Sequence, residues 1–531
     1  MIKVIDIFAG PGGLSEGFSH SVYESGSHVF DIVLSVEKDL NAFDTLKLRT
    51  FLRQFQDKFP QEYYEFLDDK IDLKQLYEKY PNELAEAEKR CWNQELGKDL
   101  KAVSDTRDKI KLALGGDKDF VLIGGPPCQA YSIAGRSRNC GIEGYSEIWD
   151  KRHTLYIEYL QILADHKPLI FIMENVKGIL SATYLRKEMF QRILNDLKSP
   201  NQALQRENRA YYDEGEVEYE IFSIVDGGKL DGTNARNAVV KSERYGIPQA
   251  RHRVILLGVR KDFSIISPKP LYQHDRKIKL DEVVSDLPRI RGGVSDDKDS
   301  GEIWKGAIES KFTDLIVQYS QKKMDLTGFE QFMLKKLAEL KTPPYDRGGK
   351  FLPEKTKPLY QEDWYSDPRL NGTYDHYSRS HMKTDLQRYF FSSCYGSFYH
   401  KSPILAEFPE ALLPKHSNLS KALSNDAYFS DRFRVQLYEK PSTTIVSHIS
   451  KDGHYYIHPD PTQCRSFTIR EAARVQTFPD NYHFCGNRTS QFTQVGNAVP
   501  PLLAGQIAEV VKNLLEEIRV NASTKIRSQK F

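Results

Sequence analysis

Six short apolar runs constrain this chain more than any other feature. KVIDIF (3–8) enters the turn AGPGG, and DIVLSVE ends at Glu37. DFVLIGG starts at Asp119, PLIFIMENV at Pro168, VEYEIFSIV at Val217 and RVILLGV at Arg253. Runs this apolar and this short are strands buried on both faces, and the helical spacing between several of them is that of crossover helices. An α/β fold is expected, with a parallel sheet covered by helices on both sides.

At 531 residues the chain is too long for one ordinary domain. Residues from about 50 to 115 are rich in Glu, Lys, Leu and Tyr at helical spacing and slightly acidic, as expected of a solvated helical insertion. From 262 to 465 the rhythm of runs breaks. This stretch is rich in Tyr, Phe, Ser, Pro and Gly and reads as a second, smaller and more irregular domain. Regular helix returns from Ser466 (TIREAARVQTF), and an amphipathic helix follows Pro501. The division expected is 1–261, 262–465, and a return to the first domain over 466–531.

Gly10, Gly12 and Gly13 lie in a turn between a strand and a helix, where glycine lets backbone approach a ligand closely. Glu37 ends the next strand, where a carboxylate can accept hydrogen bonds from both hydroxyls of a ribose. The turn is not GxGxxG, and Pro11 removes one backbone donor. That fits a nucleoside ligand without phosphates, such as S-adenosylmethionine (SAM), better than a dinucleotide; a purely structural turn is the alternative.

Gly124-Gly125-Pro126-Pro127-Cys128 follows a strand, and two prolines stop that strand and stiffen the turn. Carboxyl ends of strands in such sheets are where ligands bind, so Cys128 reads as a reactive thiol held over the crevice. Glu174 ends PLIFIM. A carboxylate after so apolar a run is partly desolvated, a setting for a general acid, though it could equally cap the next segment. Arg251 and Arg253 alternate along the entry to RVILLGV, in a segment (236–260) with six Arg or Lys against one Glu. They read either as a salt-bridged strand entry or as guanidiniums aimed at an anionic or carbonyl-bearing substrate.

The formal net charge of +2 argues against a wholly basic nucleic-acid binder but hides local distribution. The six cysteines form no CxxC pair, so neither a disulfide scaffold nor a structural zinc site is expected and a reducing compartment is. No apolar run nears the roughly 20 residues of a membrane helix, and the N-terminus lacks signal-peptide anatomy. A cytoplasmic protein is expected.

Taken in order, DIFAGPGG, GGPPCQAYS, MENV, QARHR and QVGNAVPP resemble the C5-cytosine DNA methyltransferases. The resemblance covers about 1–260 and 466–531. It implies a Rossmann-like SAM-dependent methyltransferase sheet with a target-recognition domain at 262–465. It also implies that SAM is the cofactor, that no metal is needed, and that Cys128 is the nucleophile. Glu174 would contact the ring nitrogen and amine of a flipped cytosine, supported by Arg253 and Arg251. Phe8, Gly10, Gly12, Glu37, Leu155, Asn497 and Val499 match cofactor-contact positions, and Asp105 best fits the acidic adenine contact by its spacing before Cys128.

The expected substrate is double-stranded DNA, acted on by a bacterial, nucleoid-associated monomer, the modification half of a restriction–modification system with a separately encoded endonuclease. A tRNA cytosine-5 methyltransferase and a non-catalytic DNA-binding relative are the alternatives. Within the recognition segment, Tyr374, Tyr377, Tyr389, Phe390 and Tyr395 interleave with Arg379, Lys383 and Arg388. This mixture fits either DNA contacts or an aromatic core with a charged face.

Overall fold

The computed structural model describes residues 1–56, 58–127, 155–181, 183–184, 187–211, 215–263, 266–295, 298–310, 312–322, 328–414 and 430–528. Its centre is an eight-stranded sheet built from β1 (Ile2–Ile7), β2 (Phe30–Glu37), β3 (Cys91–Asn93), β4 (Val121–Gly124), β5 (Ile170–Val176), β6 (Tyr219–Ser223), β7 (Val239–Lys241) and β8 (His252–Arg260). The order is β3-β2-β1-β4-β5-β8-β6, with β7 paired to β8. β3, β2, β1, β4 and β5 are mutually parallel.

Each expected run forms a strand, with one difference in direction. β8 is antiparallel to both β5 and β6. The chain between β6 and β8 contains the short strand β7 rather than a crossover helix, so β8 returns in the opposite sense.

Alternation along β1 explains why both faces are covered. Ile5 and Ile7 enter a core with Ile110 of α6 (Leu100–Leu114), Tyr159 and Leu160 of α7 (Leu155–His166), Ile193 of α8 (Met189–Lys198) and Leu204 of α9 (Pro200–Arg206). Ile2 and Val4 point the other way, toward Phe18 of α1 (Gly13–Ser19) and Leu503, Ile507 and Val511 of α13 (Pro501–Ser528). α1 and α13 meet closely: a Cβ on Gly17 would lie 2.4 Å from Gly505 N. The C-terminal helix therefore completes the face that the N-terminal strand begins.

Residues 50–115 are less separate than a solvated insertion. Besides the end of α2 (Leu40–Arg53) and helices α3 (Gln61–Leu67), α4 (Leu73–Lys79) and α5 (Pro81–Arg90), they supply edge strand β3 and helix α6, whose Ile110 and Leu114 are buried in the core. Tyr63, Tyr64 and Leu67 of α3 pack with Leu370 and Tyr374 of the later segment. That segment has its own core around α10 (Lys383–Tyr399), where Tyr389, Phe390 and Tyr395 are buried. Arg379 and Arg388 are buried as well, so these aromatics and arginines form a core rather than an exposed surface. After it come α11 (Ile469–Val475) and α12 (Arg488–Asn497). Among the described residues, no helix is long and apolar enough to cross a membrane.

Asp6, near the end of β1, is fully buried. It accepts a hydrogen bond from Ser15 Oγ, while its Oδ1 has no partner. Burial pushes its carboxyl up to about 7, above the unfolded value. The folded chain therefore holds this proton more tightly, and the linked stability is present at low pH and lost as pH rises through the folded value. Asp6→Asn, which keeps an acceptor for Ser15 without the charge, should gain stability over the wild type between about pH 5 and about pH 8. Paired thermal melts across that range measure it.

Candidate active site

Because five strands run parallel, their carboxyl ends share one edge of the sheet. β1 has neighbours leading in opposite directions, β2 on one side and β4 on the other, the place where such sheets bind ligands. The loop after β1 starts with Phe8 at φ 56, followed by Gly10 at φ 56 and Gly12 at φ 92, a left-handed path that glycine adopts without strain. Phe8 has a Cβ and holds this conformation at a cost, the kind of local strain found at ligand sites.

Glu37 at the end of β2 turns back over this loop. Its carboxylate accepts from Gly10 N, Lys38 N and Asp39 N, each at 2.8 Å. A Cβ on Gly10 would meet nothing within 4 Å, so there is open space beside the loop. On the other side, Gly13 lies against the Val499 carbonyl, which a Cβ there would approach to 2.2 Å. Val499 follows α12, which ends at the exposed Asn497. Leu155, half-buried, begins α7. A carboxylate beside a left-handed glycine turn, with open space and one missing N–H at Pro11, fits a nucleoside without phosphates such as SAM.

Asp105 is not at a strand end. It sits in the second turn of α6, 43% exposed, and pairs with Lys101 of the same helix at 2.7 Å. The acidic residue just past β3 is Glu95, whose carboxylate lies 3.3 Å from Lys38 Nζ. Beside it Asn93 Nδ2 donates to the Glu37 carbonyl at 2.9 Å, tying the ends of β3 and β2 together. Spacing back from Cys128 does not locate the end of β3, because α6 and its connections separate β3 from β4.

At the end of β4, Gly125 lies against Glu174; a Cβ there would come within 3.0 Å of Glu174 Oε2. Asn175 Nδ2 donates to the Pro126 carbonyl at 3.4 Å. Cys128 itself lies outside the described residues. Glu174 is partly desolvated, with its side chain 15% exposed, and its Oε1 accepts from Arg253 Nε at 2.8 Å. Arg253 reaches this edge because β8 runs antiparallel, which brings the start of β8 beside the end of β5.

The two arginines do not act as a matched pair. The strand breaks at Arg251, whose buried guanidinium donates to the carbonyls of Ile445 at 2.6 Å and Gly496 at 3.3 Å. Burial, with Arg253 nearby, pulls it down to about 9. Arg251 thus joins three distant segments. Thr444 and Gln249 share the junction: Thr444 Oγ1 donates to the Ala250 carbonyl at 2.7 Å, and Ile445 N to Gln249 Oε1 at 2.6 Å. Sequence reading did not single out these two residues, since nothing local marks a threonine that meets a strand 194 positions away. Among the described residues no group of three or more His, Cys, Asp or Glu could hold a metal ion.

A doubly wound α/β sheet with a left-handed glycine turn and an acid–guanidinium pair at its strand ends has the architecture that nucleoside-cofactor proteins share. The family model described as C-5 cytosine-specific DNA methylase matches residues 81–204 and 229–513. The type II methyltransferase M.Bpa9945I of Bacillus paralicheniformis is 32% identical over 96% of this chain and 99% of its own. Type II methyltransferases M.DdeI of Desulfomicrobium norvegicum and M.AgeI of Thalassovita gelatinovora are 25% and 23% identical over 98% and 96% of this chain, and 90% and 99% of theirs. The chain belongs to the C-5 cytosine-specific DNA methylase family and is a DNA (cytosine-5-)-methyltransferase. The family match supports the DNA reading and not the tRNA alternative.

Arg251→Met and Arg253→Met should therefore fail differently. Arg251→Met strips buried carbonyls of their donor and should cost about 1–3 kcal/mol of stability in denaturant titrations. Arg253→Met should cost less stability but lower single-turnover methyl transfer by about 10²-fold, as loss of one preorganised charge does.

Proposed function

We propose that the chain methylates carbon 5 of a flipped-out cytosine in a specific duplex sequence through a covalent Cys128 adduct. The Arg253–Glu174 ion pair beside Gly125–Pro127, the turn that leads into Cys128, carries this reading.

Carbon 5 of cytosine is a weak nucleophile while the ring is aromatic. Addition of the Cys128 thiolate to carbon 6 breaks that aromaticity and makes carbon 5 enamine-like. Glu174 stabilises the adduct by hydrogen bonding to the ring nitrogen and exocyclic amine, held in orientation by Arg253. Bound SAM would supply the electrophilic methyl that carbon 5 accepts, its sulfonium keeping the electron pair of the broken C–S bond and leaving as a neutral thioether. Loss of the carbon 5 proton to a base then expels the thiolate. Carbon 6 is inaccessible in stacked duplex, hence the flipped base.

Phe8, Gly10, Gly12, Glu37, Leu155, Asn497 and Val499 would frame SAM, with Glu37 on the ribose hydroxyls. Glu95, rather than Asp105, would take the adenine amine, since it stands beside Glu37 at the same edge. Residues 262–465 would read the target sequence, inserted into a catalytic domain formed by 1–261 and 466–531. The type II names of the relatives favour the modification half of a bacterial restriction–modification system, with an endonuclease encoded separately. The protein would be a cytoplasmic monomer that joins the nucleoid when acting.

Cys128→Ala should abolish methyl transfer while SAM still binds, as measured by a filter assay and by calorimetry on the same preparation. Retained transfer would exclude the covalent route. Duplex carrying 5-fluorocytosine at the target should be trapped as a denaturation-resistant complex, since no proton can leave carbon 5. Bisulfite sequencing of DNA from expressing cells gives the target sequence.

A further inference from the structure

Tyr482 has no role in the scheme above, yet it touches the cofactor loop directly. Its side chain is buried, and its hydroxyl donates to the carbonyl of Pro11 inside the glycine turn. A Cβ on Gly12 would lie 3.2 Å from that hydroxyl and 2.9 Å from Leu46 Cδ1, so the turn is seated tightly on this support.

The ring is itself held from several sides. Phe478 and Phe484 pack against it at centroid distances of 4.7 and 5.2 Å. The Arg49 guanidinium lies 4.9 Å from the Tyr482 ring and 4.9 Å from the Phe59 ring. Arg49 Nε donates to both oxygens of Glu16 at 3.0 Å, and Arg53 adds a bond at 2.9 Å. Burial opposes the charge on Glu16, but Arg49, His20 and Arg53 outweigh it and hold the carboxyl well below the usual range. Glu16 belongs to α1, the helix that the glycine turn opens. The support thus runs in a closed circuit from the turn to α1, α2, Tyr482 and back to the turn. Asn481 anchors it outward: its side chain donates to Asp367 at 3.0 Å, and its carbonyl accepts from Tyr63 OH at 2.6 Å.

We propose that Tyr482 is a positioning residue for SAM: its hydroxyl fixes the Pro11–Gly12 backbone in the conformation that receives the cofactor. The proposal rests on the assignment of the glycine turn to SAM. Tyr482→Phe keeps the ring, the aromatic packing and the Arg49 contact, and removes only the bond to Pro11.

The test is calorimetric titration of SAM into the full chain without DNA, with steady-state kinetics and a thermal melt on the same preparations. Tyr482→Phe should weaken SAM binding and raise KM for SAM about five- to tenfold, the scale of one net hydrogen bond. KM for DNA and kcat at saturating SAM should stay within about twofold of wild type, as expected when binding equilibrium alone is changed. Glu16→Gln, which loosens Arg49 behind the ring, should shift SAM affinity in the same direction by a smaller factor. Unchanged SAM affinity in Tyr482→Phe overturns the proposal, as does a lowered melting temperature with kcat falling and KM unmoved. Gly12→Ala separates the two levels. If it weakens SAM binding while Tyr482→Phe does not, the support role alone fails. If Gly12→Ala leaves SAM affinity unchanged, the assignment of the turn itself fails.

Discussion

Five parallel strands buried on both faces force the site to one edge. Once β3, β2, β1, β4 and β5 run the same way, every loop that follows a strand emerges together, and helices have already taken both faces. The glycine turn, the Glu37 carboxylate, the proline-stiffened turn and Glu174 are far apart in sequence and converge because of that single geometric rule. The exception completes the arrangement. Arg253 precedes its strand, so only an antiparallel β8 brings it to the edge where Glu174 ends.

The second constraint is the return of the chain. α13 packs on α1 and closes the face that β1 opens, so the two ends of the sequence share one core. The segment between them is held by buried polar groups as well as by apolar packing. Arg251 grips Ile445 and Gly496, and Arg474 pairs with Asp480 and with Asp286 at 2.7 Å. Arg465 forms a bidentate pair with Glu471, both bonds at 2.7 Å. Such desolvated charges add orientation more than net stability, since each must be fully paired to repay its burial. They fix the later segments of the chain relative to one another.

Much of the fold was legible because buried strands leave an unambiguous mark, a short apolar run stopped by glycine, proline or charge. Glu37 and Glu174 were legible for the same reason, as the first charge after such a run. Asp105 lies on α6 rather than at a strand end: counting residues back from Cys128 ignores the helix between β3 and β4. β3 itself is three residues long, too short to announce itself in a charged stretch. The aromatic and basic mixture of 371–400 was ambiguous for a different reason: charge reads as solvent exposure, and here Arg379 and Arg388 are internal. The same holds for α11, whose Arg470, Glu471 and Arg474 are wholly buried in a helix that looks ordinary in sequence.

The sequence by itself determined the strands, the glycine turn and the carboxylates that end two of the strands, because each depends on local backbone chemistry and burial. Tertiary structure decided what those groups face. It reversed β8, split Arg251 from Arg253, put Glu95 beside Lys38 at the end of β2 and set Tyr482 under Pro11. Those outcomes depend on contacts between residues hundreds of positions apart, and no local pattern encodes the direction of a strand or the partner of a buried side chain.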